Sequence, residues 1–408
     1  MTQPRLFIAD PGLTGSLGHH LGYSEAVALA AVEEGLATTV LAGRSFAGSI
    51  GNGRVPVRCA FGAHYQGAGR DGRLRRLLYG GLANLPAGLA MPAANALRTA
   101  RRRLDRLRTD RFGDELAVAL AEERATEADF VLLHSVSAAN LAGLLAPLAP
   151  RVLVILRRTP AEMDTDDAGP EPVVPLLQRL CGTPGLRLSL FADTVQLVDA
   201  FVQGTGLPVR SAPLPVVVTE RARPASSGLP HVVFAGGARM EKGYAALPAA
   251  IAAVRGRARF TVQSGPVDWA SDPLVQQAHR RLRRLRDDHV TLLETALCPR
   301  AYRGLIASAD LLLLPYDGTA YQLRSSGILA EALALGIPAV VPSNCWMADA
   351  AGPDRAVTIG PNRGGAAALA EALDRLPVLT AAAAATSASW QNQHNPRLLV
   401  RLILSSTE

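Results

Sequence analysis

Lysine is almost absent from this chain. Of its 42 basic residues one is a lysine, Lys242, and every other positive side chain is arginine. Usage this rich in arginine and alanine fits a high-GC bacterial genome, where drift turns Lys into Arg. A position that stays Lys against that drift suggests a need for a compact ammonium rather than a planar guanidinium fork. Cysteine is scarce as well. Cys59, Cys181, Cys298 and Cys345 lie far apart and form no CxxC pair, which argues against a disulfide framework or a zinc site. They read as ordinary buried thiols in a reducing compartment, and no metal is expected. Aromatics make up 5% of the chain, and none interleave with the arginine clusters, so no nucleic-acid partner is expected. No apolar run free of Gly, Pro and charge approaches the roughly 20 residues needed to span a bilayer. The opening MTQPRLFIAD lacks the basic and apolar regions of a signal peptide and reads as a first strand. The expected location is therefore cytoplasmic.

What is present is enough for two cores. At 408 residues, with 49% hydrophobic and 19% charged, the chain calls for two domains of about 200 residues each and little disorder. A net charge of +7 favours an anionic partner. The charge is uneven. Arg70, Arg73, Arg75 and Arg76 precede a stretch rich in Ala, Leu and Gly, and Arg98, Arg101, Arg102, Arg103, Arg106, Arg108 and Arg111 follow it. This insert is mostly helical in pattern. Its basic flanks could rest 70–111 on a membrane surface, and a solvated arginine face is the plainer alternative.

Apolar runs alternate with helical periods throughout. RLFIAD (5–10), ATTVLAG (37–43), ADFVLLHS (128–135) and RVLVILR (151–157) read as buried parallel strands, with a helix from Tyr23 to Glu34. A Pro-rich stretch (207–218) and RARPASSGLP (221–230) mark a boundary. A second series follows: HVVFAGG (231–237), ARFTVQSG (258–265), VTLLET (290–295), DLLLLPY (310–316), IPAVVPS (337–343) and AVTIG (356–360). The expected class is α/β with two doubly wound, Rossmann-like domains. Their spans are 1–218 and 219–390, with a C-terminal helix in 391–408 packing back on the first. The alanine tract near 381–385 reads as a helix or linker.

Two motifs in the second series carry chemistry. In FAGGARMEKG (234–243) a strand ends at Ala235. Gly236 and Gly237 then let the backbone approach a ligand, and Arg239 and Lys242 follow at an expected helix start. Backbone N–H groups and two cations there suit a diphosphate. In PYDGTAYQLRSSGILAEALALGIPAVVPS (315–343) a strand ends at Pro315-Tyr316. Arg324, Ser325, Ser326, Gly327 and Ile328 then lead into a helix, again offering small residues and donors. Glu331 lies one turn on, among apolar neighbours, and could hold the two hydroxyls of a ribose.

Together these motifs resemble the C-terminal domain of GT-B fold glycosyltransferases, in particular the retaining family 4 group. The resemblance covers 231–343 well and the N-terminal half more weakly. It implies two Rossmann-like domains facing a central cleft, and transfer of a hexose from a nucleotide-diphosphate sugar to a hydroxyl acceptor. No cofactor is implied beyond that donor substrate. By the resemblance Arg239 and Lys242 neutralise the diphosphate, Glu331 binds ribose, and the backbone of Ser326, Gly327 and Ile328 contacts phosphate, with Gly236, Gly237, Tyr316, Arg324 and Ser325 completing the donor site. One departure stands out. The family's Glu that contacts the transferred sugar, eight residues before the ribose Glu, is Leu323 here, flanked by Tyr321 and Arg324.

The N-terminal candidates are Gly18, His19, His20 and Tyr23 at a strand–helix junction, His134 at the end of a strand, and Arg157 and Arg158 at the end of the next. Adjacent histidines at a helix start cannot both face one site, so one at most is functional. His134 is expected to take part in catalysis and the others in binding the acceptor, a saccharide or lipid-linked molecule; the two arginines suggest that it is anionic, or else serve to close the cleft. The pathway suggested by analogy is bacterial polysaccharide or glycolipid synthesis. A sugar-nucleotide epimerase and a non-catalytic sugar-nucleotide-binding protein are the competing readings.

Overall fold

A computed structural model describes residues 3–15, 19–62, 96, 111–146, 148–166, 171–218, 228–265 and 272–407. Gly18 and all of the basic 70–111 segment except 96 and 111 lie outside the described residues. The chain divides into two compact units. One holds the first sheet together with Asn395–Glu408, and the other holds Val216–His394.

The first unit is built on seven parallel strands. They are β1 (Arg5–Asp10), β2 (Ala37–Gly43), β3 (Val57–Phe61), β4 (Phe130–Leu133), β5 (Arg151–Leu156), β6 (Leu188–Ala192) and β7 (Val209–Ser211). Their order is β3-β2-β1-β4-β5-β6-β7. Helices cover both faces, so Leu6 through Asp10 and all of β4 are buried, the burial that continuous apolar runs anticipate. Strand order reverses between β1 and β4, and loops at such a switch point are where ligands of doubly wound sheets bind. Helix Pro396–Leu404 packs on helix His19–Glu33, adding Leu399, Val400 and Ile403 to the cluster around Leu6, Ile8 and Val27. Surface pairs Arg397–Glu33 and Arg401–Glu34 border this contact.

The second unit repeats the plan with β8 (His231–Phe234), β9 (Arg259–Gln263), β10 (Val290–Leu293), β11 (Leu311–Leu313), β12 (Ala339–Pro342) and β13 (Ala356–Ile359). The order is β10-β9-β8-β11-β12-β13, parallel throughout, with its switch point between β8 and β11. The alanine tract lies inside one helix, Leu376–Gln393. From that helix Trp390 Nε1 and Gln391 Nε2 donate to the carbonyls of Ala330 and Ala334, the second of them the last carbonyl of helix Gly327–Ala334.

Several sequence expectations need correction. Helix His19–Glu33 begins four residues before Tyr23. β8 stops at Phe234 and β11 at Leu313, earlier than the apolar runs imply, because the residues after them turn out of the ladder. Arg239 and Lys242 do not open an α-helix. Two 3-10 turns, Met240–Lys242 and Tyr244–Ala246, precede helix Leu247–Ala253. β7 sits inside the Pro-rich stretch, which an edge strand tolerates because one row of its N–H groups has no partner strand. The thiols are mostly not buried. Cys59, Cys181 and Cys298 are exposed, on an edge strand, at a helix end and before a helix, and Cys345 alone is buried. Among the described residues no helix is long and apolar enough to cross a membrane.

Candidate functional site

At the carboxyl end of β8 the chain turns at Gly236 and Gly237. Gly236 has φ +121°, a conformation open to glycine, and its N–H donates to Gln263 Oε1 at 2.7 Å. A side chain there would strike Lys242 Nζ and sit 3.3 Å from Ile328 Cδ1, so the two motifs meet over this glycine. Arg239 lies beside Gly237 and pairs with Glu241 at 2.9 Å on an exposed surface. Lys242 is different. It is 9% exposed, with its Nζ 5.5 Å from the centre of the Tyr316 ring. Among the described residues no carboxylate lies within ion-pair distance of it. Burial, aided by the charges of Arg239 and Arg324 and opposed by Glu241, pushes its pKa down to about 7. Among the described residues, three cations against one carboxylate leave two positive charges around Lys242 when it is protonated, a match for a diphosphate esterified at both ends.

The loop after β11 supplies the other wall. Tyr316 and Tyr321 lie 4.8 Å apart at a tilt, and the Arg324 guanidinium stands over Tyr321 at 5.2 Å. Ser325 is half-buried. Ser326 caps helix Gly327–Ala334 by accepting from the Leu329 N–H at 3.3 Å, and Gly327 at the helix start is exposed. Glu331 sits one turn on, apart from Lys242. Its Oε2 is buried without a hydrogen-bond partner, and burial, only partly offset by the charge of Arg303, pushes its pKa up to about 7. A buried carboxylate oxygen with no donor is costly unless a ligand supplies one.

The first unit gathers a separate polar cluster at its switch point. Asp10, the last residue of β1, is 1% exposed. Its Oδ1 accepts from the Gly12 N–H at 3.1 Å and lies 2.8 Å from His20 Nδ1. Its Oδ2 accepts from the Ser24 hydroxyl at 2.9 Å and lies 3.1 Å from His134 Nε2. Burial opposes ionisation of Asp10, yet the charge of His134 and the hydrogen bonds of both histidines outweigh it and hold the carboxyl well below its usual range. Ser24 spends its one proton on Asp10, so His134 Nε2, 3.0 Å from Ser24 Oγ, acts as the donor, and Nδ1 is buried with no hydrogen bond. Tyr23 stacks on His134 at 4.1 Å, and Arg157 covers Tyr23 at 5.4 Å while donating to Asp193 at 2.9 Å. Arg158 turns to the Val136 carbonyl.

His134, His20, Tyr23 and Arg157 are thus brought together. His19 opens the helix, and His20 is the histidine held in the cluster. Sequence reasoning missed Asp10, Ser24, Asp193 and Gln263. The signal for Asp10 was visible, an acid closing an otherwise apolar strand. Among the described residues no three His, Cys, Asp or Glu side chains are grouped to hold a metal ion.

No family model matches the chain, and no curated protein matches it. Solved structures do. A sucrose-phosphate synthase from Thermosynechococcus elongatus superposes with TM-score 0.67 at 12% identity, covering 99% of this chain and 98% of that one. A glycosyltransferase from Rickettsia africae gives 0.62 at 10% identity, over 99% and 98%. An α,α-trehalose-phosphate synthase (UDP-forming) from Burkholderia vietnamiensis gives 0.58 at 13%, over 99% of each. The fold is that of the GT-B glycosyltransferases, with two Rossmann-like domains.

Proposed function

We propose that this protein is a glycosyltransferase of hexosyltransferase type, moving a sugar with retention from a nucleotide-diphosphate sugar to a hydroxyl acceptor. The observation that carries the reading is Lys242, the chain's lone lysine, buried beneath the Gly236 turn without a carboxylate partner among the described residues. Burying an uncompensated ammonium is expensive, and a site keeps one where an anion will meet it. Arg239 and Lys242 take the diphosphate, with Arg324 and the backbone of Gly236, Gly237 and Ser326 to Ile328 beside it. As the anomeric bond breaks, negative charge grows on the leaving phosphate, so these cations bind the transition state more tightly than the donor. The buried Glu331 carboxylate takes ribose hydroxyls as the donors its Oε2 lacks. The shared fold agrees with this reading. One similar solved structure is of a UDP-forming synthase, and another is of a trehalose-6-phosphate synthase described in terms of glycosyl transfer with retention. On the acceptor side we place the Asp10–His134 cluster with His20, Tyr23, Arg157 and Arg158.

The test is turnover with nucleotide sugars against a panel of saccharide and sugar-phosphate acceptors, on wild type and Lys242→Ala. Wild type should form product with the donor's anomeric configuration. Lys242→Ala should lose about a hundredfold or more, the scale of removing one donor to a developing oxyanion. A folded Lys242→Ala protein that transfers at the wild-type rate refutes the assignment.

A further inference from the structure

Lys242 sits on a short 3-10 turn, which has too few backbone hydrogen bonds to fix a side chain by itself. Two tethers fix it. On one side Gly243, at φ +67°, lies against the carbonyl oxygen of Pro315, where any Cβ would clash, and the Asp317 N–H donates to the Glu241 carbonyl at 2.9 Å. On the other side stands Tyr244, two residues from Lys242 and fully buried, edge-on to Phe234 at 5.8 Å. Burial pushes the Tyr244 phenol up to about 12, so it keeps its proton. Its hydroxyl lies 2.8 Å from His279 Nδ1 and donates there, which places the imidazole proton on Nε2, 2.6 Å from Glu294 Oε1. Arg283 Nε donates to the same oxygen at 2.7 Å. Burial lowers the His279 pKa and favours the neutral ring, though Glu294 opposes it. A chain of hydrogen bonds therefore runs from Glu294, just past β10, through His279 on helix Pro273–Leu285, to Tyr244 at the start of the 3-10 turn that directly follows the one carrying Lys242.

We propose that Tyr244, His279 and Glu294 are positioning residues that hold the Lys242 turn against the sheet and keep its ammonium buried over Tyr316. The role is more than filling space. An aromatic ring alone would fill the same volume, but the relay adds direction, because each member accepts or donates in one orientation only. The role in donor binding rests on the reading that Lys242 meets a diphosphate. The effect on Lys242 itself does not.

The lone lysine makes this measurable. Acetic anhydride labelling, followed peptide by peptide by mass spectrometry, reports the titration of Lys242 with no ligand and no turnover. The charged and titratable groups around it are Arg239, Glu241, Arg324 and Tyr316, and none is altered in these variants. Wild type should label with a midpoint near the lowered value of about 7. In Tyr244→Phe and His279→Leu the freed turn lets the amine reach water, and the midpoint should rise by about one pH unit or more, cutting the unprotonated, reactive fraction at pH 7 about fivefold or more. His279→Gln presents an acceptor to Tyr244 and a donor to Glu294 and should restore the wild-type midpoint. A midpoint unmoved in Tyr244→Phe, which keeps the ring and guards against a misfolded leucine variant, overturns the proposal. So does a glutamine variant that behaves like leucine. In parallel, nucleotide affinity should fall about tenfold in Tyr244→Phe. If the midpoint moves while wild type binds no nucleotide, the relay stands and the transferase reading is what fails.

Discussion

Replacing Lys242 by Met should make the free protein more stable, and the size of the gain can be worked out. Met keeps the length and apolar stem of the side chain and removes the charge. In the fold the lysine titrates at about 7 against an ordinary 10.5. Between these values the folded chain binds fewer protons than the unfolded one, so its stability rises with pH through that window, and the full penalty applies below pH 7. Each pH unit between the folded and the ordinary value is worth about 1.4 kcal/mol, so the penalty is about 4 kcal/mol at pH 7 and about 2 kcal/mol at pH 9. Loss of the contact with the Tyr316 ring takes back about 1 kcal/mol. The net gain is therefore about 3 kcal/mol at pH 7, shrinking to about 2 kcal/mol at pH 9, where the amine is neutral and has no cation–π contact to lose. With a urea slope of about 2–3 kcal/mol/M, the midpoint should rise by about 1 M at pH 7. Trp346 and Trp390 lie in the second unit and no tryptophan occurs in 1–215, so fluorescence reads the unit that changes. A methionine variant less stable than wild type at pH 7, or a gain that does not shrink as pH rises, would refute the view that Lys242 is held at a cost for a ligand.

Gly243→Ala should destabilise the second unit by about 3 kcal/mol or more, through backbone strain and a clash with Pro315, read as a lower urea midpoint. Glu331→Gln should remove a group whose raised pKa makes the folded chain lose stability as pH climbs from 4.5 to 7, so the variant gains most above pH 7. The same variant should lose the preference for a ribonucleotide over its 2′-deoxy form, by about tenfold in a competition titration. Asp10→Asn should weaken the first unit by about 2–3 kcal/mol, because the amide cannot accept from all the groups that converge on the carboxylate. Hydrogen exchange in helix His19–Glu33 would report it. Asp10's lowered pKa adds stability above pH 3.8 that is lost as pH falls through the folded value, so in acid the variant and wild type should converge.

The strands that frame both switch points were legible because they are buried on both faces and read as unbroken apolar runs. β3, β6 and β7 were not. β3 is half-buried, β6 carries a serine and is fully buried only over its last three residues, and β7 is a three-residue edge among prolines, so none has a clear period. The donor motifs were legible through glycines and charges at strand ends, and Lys242 through the absence of other lysines. The turn geometry was not. A 3-10 turn and an α-helix start share the same residue preferences, and what selects the turn here is the close approach of Gly243 to Pro315, a contact between residues far apart in sequence. Asp10, Ser24, His279 and Glu294 escaped notice for the same reason, since polar residues become a network only when distant strands and helices bring them within hydrogen-bond distance.

The most direct test of the central claim is a thermal-shift panel of UDP, GDP, dTDP and ADP on wild type and Lys242→Ala. A ligand that binds the folded state alone raises its melting temperature by mass action. A clear shift with one nucleotide on wild type, absent in Lys242→Ala, is expected, and it would assign the donor site and identify its base. No shift with any of the four, or an equal shift in the variant, would contradict that claim.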